Sequence, residues 1–487
     1  MPDAQPSFLM AFLPEGVLLL GILVLFGLTL GSNRVRAARL VSMTTALAVM
    51  LAIAATAGTE AVLFDGAYRV DAFSQWLKFV FAIGYLACVL IGYNLKDIRV
   101  EIRPEYFFLL STSVSGCILL AGSIDLIALV VSLELASFPL FLLIAMRREG
   151  HGQRAQMESA VKYMMFGVGA SGLMLFGMGY LYGLTGTTSL PLLMERLQPV
   201  LHTPLAITGI TLTLAAFFYK LAVFPFHFWS PDVYQGASNE TTAIVASLPK
   251  LAAVLLLVRF AGMANPNAHT LAAIFASLAV GSMFYGNLLA LAQTDFKRLL
   301  GFSAIAHAGY TLIGLVALEE AGFTAALYYI TGYLFMALAC FTVIARVSRD
   351  GANLPISGLA GLHKRSPLLA ATLLVGVFSL AGIPPFVGFM GKFSLLTAAL
   401  QQGFLWLVLL AVLNTVIAVY YYLRVVHAAF FTEPSGNADT SPIHLEPATR
   451  VLCLLLIVFI VGLGIAPGLF LETIAASLSS YIPQLNH

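Results

Sequence analysis

The sequence predicts an all-α integral membrane protein of about fourteen transmembrane helices, and three observations carry that reading. Of its 487 residues, 60% are hydrophobic and only 10% charged, and the mean hydropathy is +0.93. The apolar residues run in unbroken stretches of about 20, the length that crosses a hydrocarbon core roughly 30 Å thick. The basic residues, finally, alternate from one connecting loop to the next. A soluble globule has about 45–50% apolar and about 25% charged residues, so too little polar surface exists here to cover one. The same numbers exclude a disordered chain, a disulfide-stapled secreted domain and a nucleic-acid binder. A formal charge of +2 gives no reason for a polyanionic partner. The cysteines (Cys88, Cys117, Cys340, Cys453) stand singly in apolar runs, with no metal-ligating spacing.

In chain order the candidate spans are 9–30, 38–57, 73–94, 105–121, 124–146, 158–184, 205–229, 241–262, 270–291, 299–318, 322–346, 367–398, 403–430 and 449–472. Continuous rather than alternating apolarity argues against a membrane β-barrel. The first span follows Met1-Pro2-Asp3-Ala4-Gln5-Pro6, which lacks the basic start of a signal peptide, so it is expected to remain as a membrane helix. Loops after odd-numbered spans carry sixteen Lys and Arg, among them Arg34, Arg99, Arg147, Arg154, Lys297 and Arg365. Loops after even-numbered spans carry only Arg69 and Arg196. Basic loops stay on the cytoplasmic side. The expectation is a multi-pass membrane protein with both termini facing outward, away from the cytoplasm.

Seven basic residues remain within or beside the spans: Lys78, Lys162, Lys220, Lys250, Arg259, Lys392 and Arg424. Lys78, Arg259 and Arg424 lie near predicted helix ends and read as anchors snorkelling to the membrane surface. Lys220, Lys250 and Lys392 lie deep, where an ionisable group costs about 2.5–3.5 kcal/mol even on the lower scales. Glu134 is their acidic counterpart in the fifth span. One buried ion pair could be mere helix glue; one Glu and three Lys on four helices point to a charge pathway.

Two spans contain helix breakers beside these lysines: Lys220 to Pro225 and His227 in the seventh, and Gly382-Ile383-Pro384-Pro385 to Lys392 in the twelfth. Proline removes a backbone donor, and freed backbone at membrane depth is tolerated only where protein or water satisfies it. Broken helices in corresponding places of two halves are the sequence pointer to an ion site between inverted repeats. Pro225 and Pro384, 159 residues apart, suggest such halves. The chain is divided accordingly into an N-terminal three-helix segment (1–104), a five-helix repeat of helices 4–8 (105–262), a second of helices 9–13 (263–430), and a loop with a last helix (431–487).

These stretches carry a family resemblance over nearly the whole chain. Ser132-Leu133-Glu134-Leu135, Ser159 to Tyr163, Tyr219-Lys220 through Pro225 and Trp229 to Gly236, Gln293 to Leu300 with His307, and Leu380 to Pro385 with Lys392 resemble the antiporter-like membrane subunits of respiratory NADH–quinone oxidoreductase, complex I or NDH-1. Asp232-Val233-Tyr234-Gln235-Gly236 and a lysine at 392 are similar to the N type. The M paralogue usually has glutamate at the latter place, and the L paralogue continues into a long lateral helix that is not expected here. Two departures stand out: Ser238-Asn239-Glu240-Thr241 where the family usually has prolines, and Phe141 where tyrosine is common.

The resemblance implies a proton-translocating subunit of an enzyme whose other subunits bind NADH, FMN, iron–sulfur clusters and quinone. Its neighbours would be antiporter-like paralogues and small helical subunits within the lipid bilayer. Consistently, the chain has no GxGxxG opening a βαβ unit, no P-loop and no cluster-binding cysteine set, so it is expected to bind no cofactor and no metal. The candidate proton-transfer residues are Glu134, Lys220, Lys250 and Lys392. His307 and His227 are candidate relays, since histidine titrates near neutrality, and Lys162 with Glu158 are candidates for tuning. A carboxylate beside a buried ammonium favours the charged form, and its withdrawal favours proton release. The alternative of the same fold is a cation/proton antiporter or a membrane-bound hydrogenase subunit.

Overall fold

Inside a bilayer only a backbone that satisfies its own hydrogen bonds is stable, and the long apolar stretches accordingly become helices. The computed structural model describes residues 8–31, 34–148, 155–262, 269–434 and 441–479. In order, the helices are α1 (Leu13–Thr29), α2 (Val35–Ala55), α3 (Ala72–Ile91), α4 (Arg103–Gly122), α5 (Leu126–Ala145), α6 (Ala155–Thr185), α7 (Pro204–Leu221), α8 (Trp229–Gly236) and α9 (Asn239–Ala261). They continue as α10 (His269–Leu291), α11 (Phe296–Val316), α12 (Glu320–Val347), α13 (Pro367–Ala381), α14 (Val387–Gln401), α15 (Leu405–Phe431), α16 (Pro447–Ile465) and α17 (Pro467–Ser479). A two-stranded antiparallel hairpin, β1 (Ala61–Leu63) and β2 (Tyr68–Val70), links α2 to α3, and short helices occupy Phe8–Ala11, Leu190–Leu197 and Leu362–Arg365. Among the described residues, twelve helices are long and apolar enough to cross a membrane, and Leu13–Thr29 and Pro367–Ala381 are shorter apolar helices.

Polar side chains fix where several helices begin, because the first backbone N–H groups of a helix have no partner within it. Asp71 caps α3 in a reciprocal box with Ser74, Asp125 caps α5, Thr203 caps α7 and Asp295 caps α11. The last predicted span, 449–472, is two helices rather than one. Pro467 disfavours the helical conformation of the residue before it, and Ala466 has φ −120° and ψ 62°.

The basic loops meet on one face. Ile98 bridges to Arg147, Asp295 bridges to Pro355, and the Arg147 guanidinium reaches the carbonyls of Gln235, Gly236 and Gly351. The opposite loops meet on the other face, where Tyr68 bridges to Ser123 and Asp125 to Ser189. Arg154 of the basic set lies outside the described residues. Between the faces, the spanning windows of α9, α11 and α12 are wholly buried, whereas only 33% of those of α6, α15 and α16 is buried. A helix apolar on every side belongs inside the bundle, and these three form its core.

Both breaker segments interrupt their helices, and with the same local geometry. α7 ends at Leu221 and α13 at Ala381, and each is closed by a residue in the left-handed region, Ala222 (φ 64°) and Gly382 (φ 84°). These caps stand 160 residues apart, which sets Pro225 against Pro385 rather than the sequence-matched Pro384. At Gly382 a Cβ would meet Lys392 Cδ at 3.0 Å, so glycine supplies both the positive φ and the room for the lysine. At Gly388 a Cβ would come within 1.8 Å of the Ser379 carbonyl oxygen. Gly388→Ala is therefore expected to cost at least about 3 kcal/mol by forcing α14 off α13. A drop in the melting temperature of the detergent-solubilised protein checks this, and an unchanged melt would refute the close packing.

Candidate functional site

A helix that stops inside the membrane leaves its last carbonyls without partners, and these carry the negative end of the helix dipole. A lysine ammonium occupies each such end. Lys250, from the middle of α9, donates to the Leu221 carbonyl of α7 at 3.0 Å. Lys392, from α14, donates to the carbonyls of Leu380 and Ala381 of α13, both at 3.2 Å. The breaks thus create the sites that hold the buried charges. Lys250 is 1% exposed and Lys392 5%.

Aromatic side chains join the two ends through His307 of α11. Lys250 Nζ stands 6.0 Å from the ring of Tyr333, and Lys392 Nζ stands 4.6 Å from that of Tyr310. The His307 ring lies 5.1 Å from Tyr333 and 6.3 Å from Tyr310. Its Nδ1 is hydrogen-bonded to the Tyr329 hydroxyl at 2.5 Å and its Nε2 to the Tyr422 hydroxyl at 3.0 Å. Tyr422 is hydrogen-bonded in turn to Ser303. Hydroxyl and imidazole groups both donate and accept, which is what a proton relay needs.

Lys220 closes the last turn of α7 in an aromatic surround, its Nζ 5.9 Å from the ring of Phe141, 5.6 Å from Tyr163 and 5.8 Å from Tyr219. The surround is braced from α8 and α6, since Trp229 Nε1 donates to the Tyr219 carbonyl at 2.9 Å and the Tyr219 hydroxyl to the Tyr163 carbonyl at 2.6 Å. Glu134 lies half-buried on α5 and accepts from the Ser171 hydroxyl at 2.5 Å; it forms no contact ion pair with Lys220. The carboxylate and the amine are therefore within electrostatic reach of one another but separately held.

The other candidates are placed differently. Lys162 bridges Glu158 at 2.6 Å and Asp232 at 2.7 Å at the basic-face end of α6, and Asp232 also pairs with Arg298 at 2.8 Å. Those four residues tie α6, α8 and α11 together and do not join the Lys250–Lys392 group. His227 is 1% exposed and packed among Phe224, Phe228 and Tyr285, with no hydrogen bond to either ring nitrogen.

Two of the three predicted surface anchors are corrected. Lys78 is fully buried in an ion pair with Glu15 at 2.7 Å, and Glu15 also accepts from the Tyr68 hydroxyl at 2.5 Å. Arg259 is 2% exposed and caps the end of α4, donating to the carbonyls of Leu120 (3.1 Å), Ala121 and Ser123. Both sit near helix ends but face the bundle, and neighbouring helices supply partners before lipid headgroups can. Arg424, only partly buried, donates to the carbonyl of Leu291 (3.0 Å), the last residue of α10, and to that of Gln293 just beyond it. Sequence reasoning missed Tyr310, Tyr329, Tyr333 and Tyr422; their one signal was tyrosine recurring inside otherwise apolar spans. Outside the spans, burial pushes the Asp97 carboxyl up from its ordinary value against the opposing pull of Arg147. No group of three or more His, Cys, Asp or Glu able to hold a metal occurs among the described residues.

Comparison with known proteins agrees with this architecture. Residues 123–418 match the transmembrane family described as NADH:quinone oxidoreductase/Mrp antiporter. NADH-quinone oxidoreductase subunit N 2 of Opitutus terrae is 60% identical over 470 residues, covering 96% of this chain and 98% of that protein. A chain of respiratory complex I from Thermus thermophilus superposes with a TM-score of 0.81 at 30% identity, covering 95% of this chain and 99% of its own. A chain of the Mrp complex from Dietzia sp. DQ12-45-1b has a TM-score of 0.86 at 22% identity over 98% of this chain and all of that one, a likeness of fold. The sequence therefore belongs to the subunit N family of NADH-quinone oxidoreductase, within the wider NADH:quinone oxidoreductase/Mrp antiporter membrane family.

Proposed function

We propose that this chain translocates protons across a bacterial inner membrane as the N-type subunit of an NADH–quinone oxidoreductase. In this reading Glu134, Lys220, Lys250, His307 and Lys392 are the transfer line, and quinone reduction in other subunits drives it. The observation that carries the proposal is the pair of lysines seated on the carbonyl ends of two broken helices, with a doubly hydrogen-bonded histidine between them. By the positive-inside rule the basic face is cytoplasmic, and both termini then project to the periplasm. NADH, FMN, iron–sulfur clusters and quinone are assigned to other subunits, because this sequence has no GxGxxG opening a βαβ unit, no P-loop and no cluster-binding cysteine set.

The energies suffice. Moving one charge against 100 mV costs about 2.3 kcal/mol, and a hundredfold change in a lysine's proton affinity supplies about 2.7 kcal/mol. Displacing Glu134 relative to Lys220 supports a change of that order, because the two are near but not locked together. Lys220→Ala is expected to leave quinone reduction by the assembled complex in place and to lower its proton-to-electron ratio in inverted membrane vesicles. A wild-type ratio in that variant would defeat the proposal.

A further inference from the structure

The buried carboxyl of Glu240 has no part in the line just described, and it sits where that line lacks a connection to the basic face. Ser238 begins α9, its hydroxyl accepting from Thr241 N at 3.2 Å and donating to Thr241 Oγ1 at 2.9 Å. Glu240 follows in the first turn, where the positive end of the helix favours an anion. It is 2% exposed, and its Oε2 has no hydrogen-bond partner. Other buried polar atoms around the same end of the bundle also lack partners: Asn239 Oδ1, Tyr106 OH and Arg346 Nη1. A buried polar atom left dry and without a hydrogen bond is costly. A cluster of them, drawn from α4, α9 and α12, is the setting in which proteins hold ordered water.

The charged groups facing Glu240 come from every side: Arg103 from α4, Asp97 from the loop before it, Lys297 from α11 and Arg346 from α12. None of the basic groups is paired to it. Lys297 donates to the Ala237 carbonyl at 2.8 Å, and Arg346 donates to Thr449 Oγ1 at 2.9 Å and the Leu90 carbonyl at 3.0 Å. Toward the membrane interior, Lys250 lies ten residues further along the same helix, about 15 Å at 1.5 Å per residue. Tyr234 stands beside this stretch of α9; its carbonyl accepts from Thr242 Oγ1 at 3.2 Å, and its buried hydroxyl neighbours that of Tyr333. Tyr333 is the residue whose ring stands over Lys250.

We infer that Glu240 is the proton-loading carboxyl of this chain, taking protons from water at the basic face and passing them by way of Tyr234 and Tyr333 to Lys250. The carboxylate accepts a proton from hydronium and releases water. The carboxylic acid then gives the proton to the Tyr234–Tyr333 hydroxyls, which hand one on to the neutral Lys250 amine, leaving Glu240 ionised again. The inference rests on the transfer line proposed above. A carboxylate that only balanced Lys297 and Arg346 would need neither water nor a hydroxyl path.

Two measurements on the whole complex test it. In inverted vesicles Glu240→Gln is expected to lower the proton-to-electron ratio to the level of Lys220→Ala. A wild-type ratio in Glu240→Gln beside a lowered one in Lys220→Ala overturns this inference alone, whereas wild-type ratios in both overturn the transfer line. Independently of folding, the wild-type complex is treated with a water-soluble carbodiimide and taurine added on the basic-face side, and its peptides are weighed. Glu240 is expected to be coupled along with the exposed Glu433, while Glu15, 1% exposed on the other face, is spared. Coupling of Glu433 without Glu240 would show a dry site and overturn the inference.

Discussion

Replacing Lys392 by alanine is expected to abolish proton translocation through this chain while an assembled complex still reduces quinone. The ammonium is the hydrogen-bond donor to the Leu380 and Ala381 carbonyls, at the place where α13 has stopped and α14 has not yet begun. Its loss orphans two carbonyls, a penalty of about 1–3 kcal/mol each if they stay dry. Water entering the break can satisfy them, as irregular backbone at membrane depth permits, so folding survives. What cannot be replaced is a group that both holds and releases a proton there. Lys392→Arg sharpens the test, because a guanidinium keeps the charge and the hydrogen bonds but does not deprotonate in proteins. Both variants should therefore lose pumping, with alanine the less stable of the two. Proton uptake measured against NADH oxidised in inverted vesicles decides it, and a normal ratio in the arginine variant would show that position 392 needs only a fixed charge.

The largest effect on stability is expected from Lys78→Ala. Its partner Glu15 would be left ionised and 1% exposed, with the Tyr68 hydroxyl as its remaining hydrogen-bond donor among the described residues. Removing one member of a buried pair costs about 3–5 kcal/mol, because the other charge remains buried and uncompensated. Replacing both members by apolar residues of similar size is often neutral. Lys78→Met should thus lower the melting temperature and the yield of assembled complex, and Glu15→Met with Lys78→Met should restore most of both. If the double variant is as impaired as the single one, the pair does more than offset its own burial.

The spans, their breaks and the three deep lysines were legible because hydrocarbon makes each of them conspicuous: a charge at Lys250 or a proline at Pro225 has no cheap explanation within 20 apolar residues. The partners of those charges were not legible. Lys78 and Arg259 read as surface anchors in the sequence because distance from a helix end does not tell whether a side chain faces lipid or the bundle. Lys162 finds Asp232 seventy residues away, and His307 finds Tyr422 at a separation of 115, pairings that no local pattern encodes. The helical register between the halves was also off by one residue, since adjacent prolines at 384 and 385 look alike until the left-handed cap at Gly382 fixes which one matches Pro225.

That this chain is a bundle of membrane helices, which of its loops share a face, and where two helices break can all be read from the residues alone. Those features follow from solvation and from backbone donors that proline removes, and both act locally. It is the packing of the helices that brings Lys250 and Lys392 to the freed carbonyls of α7 and α13, connects them through tyrosine hydroxyls and His307, and buries Glu240 with its Oε2 lacking a hydrogen bond. Those outcomes depend on which helices pack side by side, and packing is set by the shapes of whole faces, not by any run of neighbouring residues.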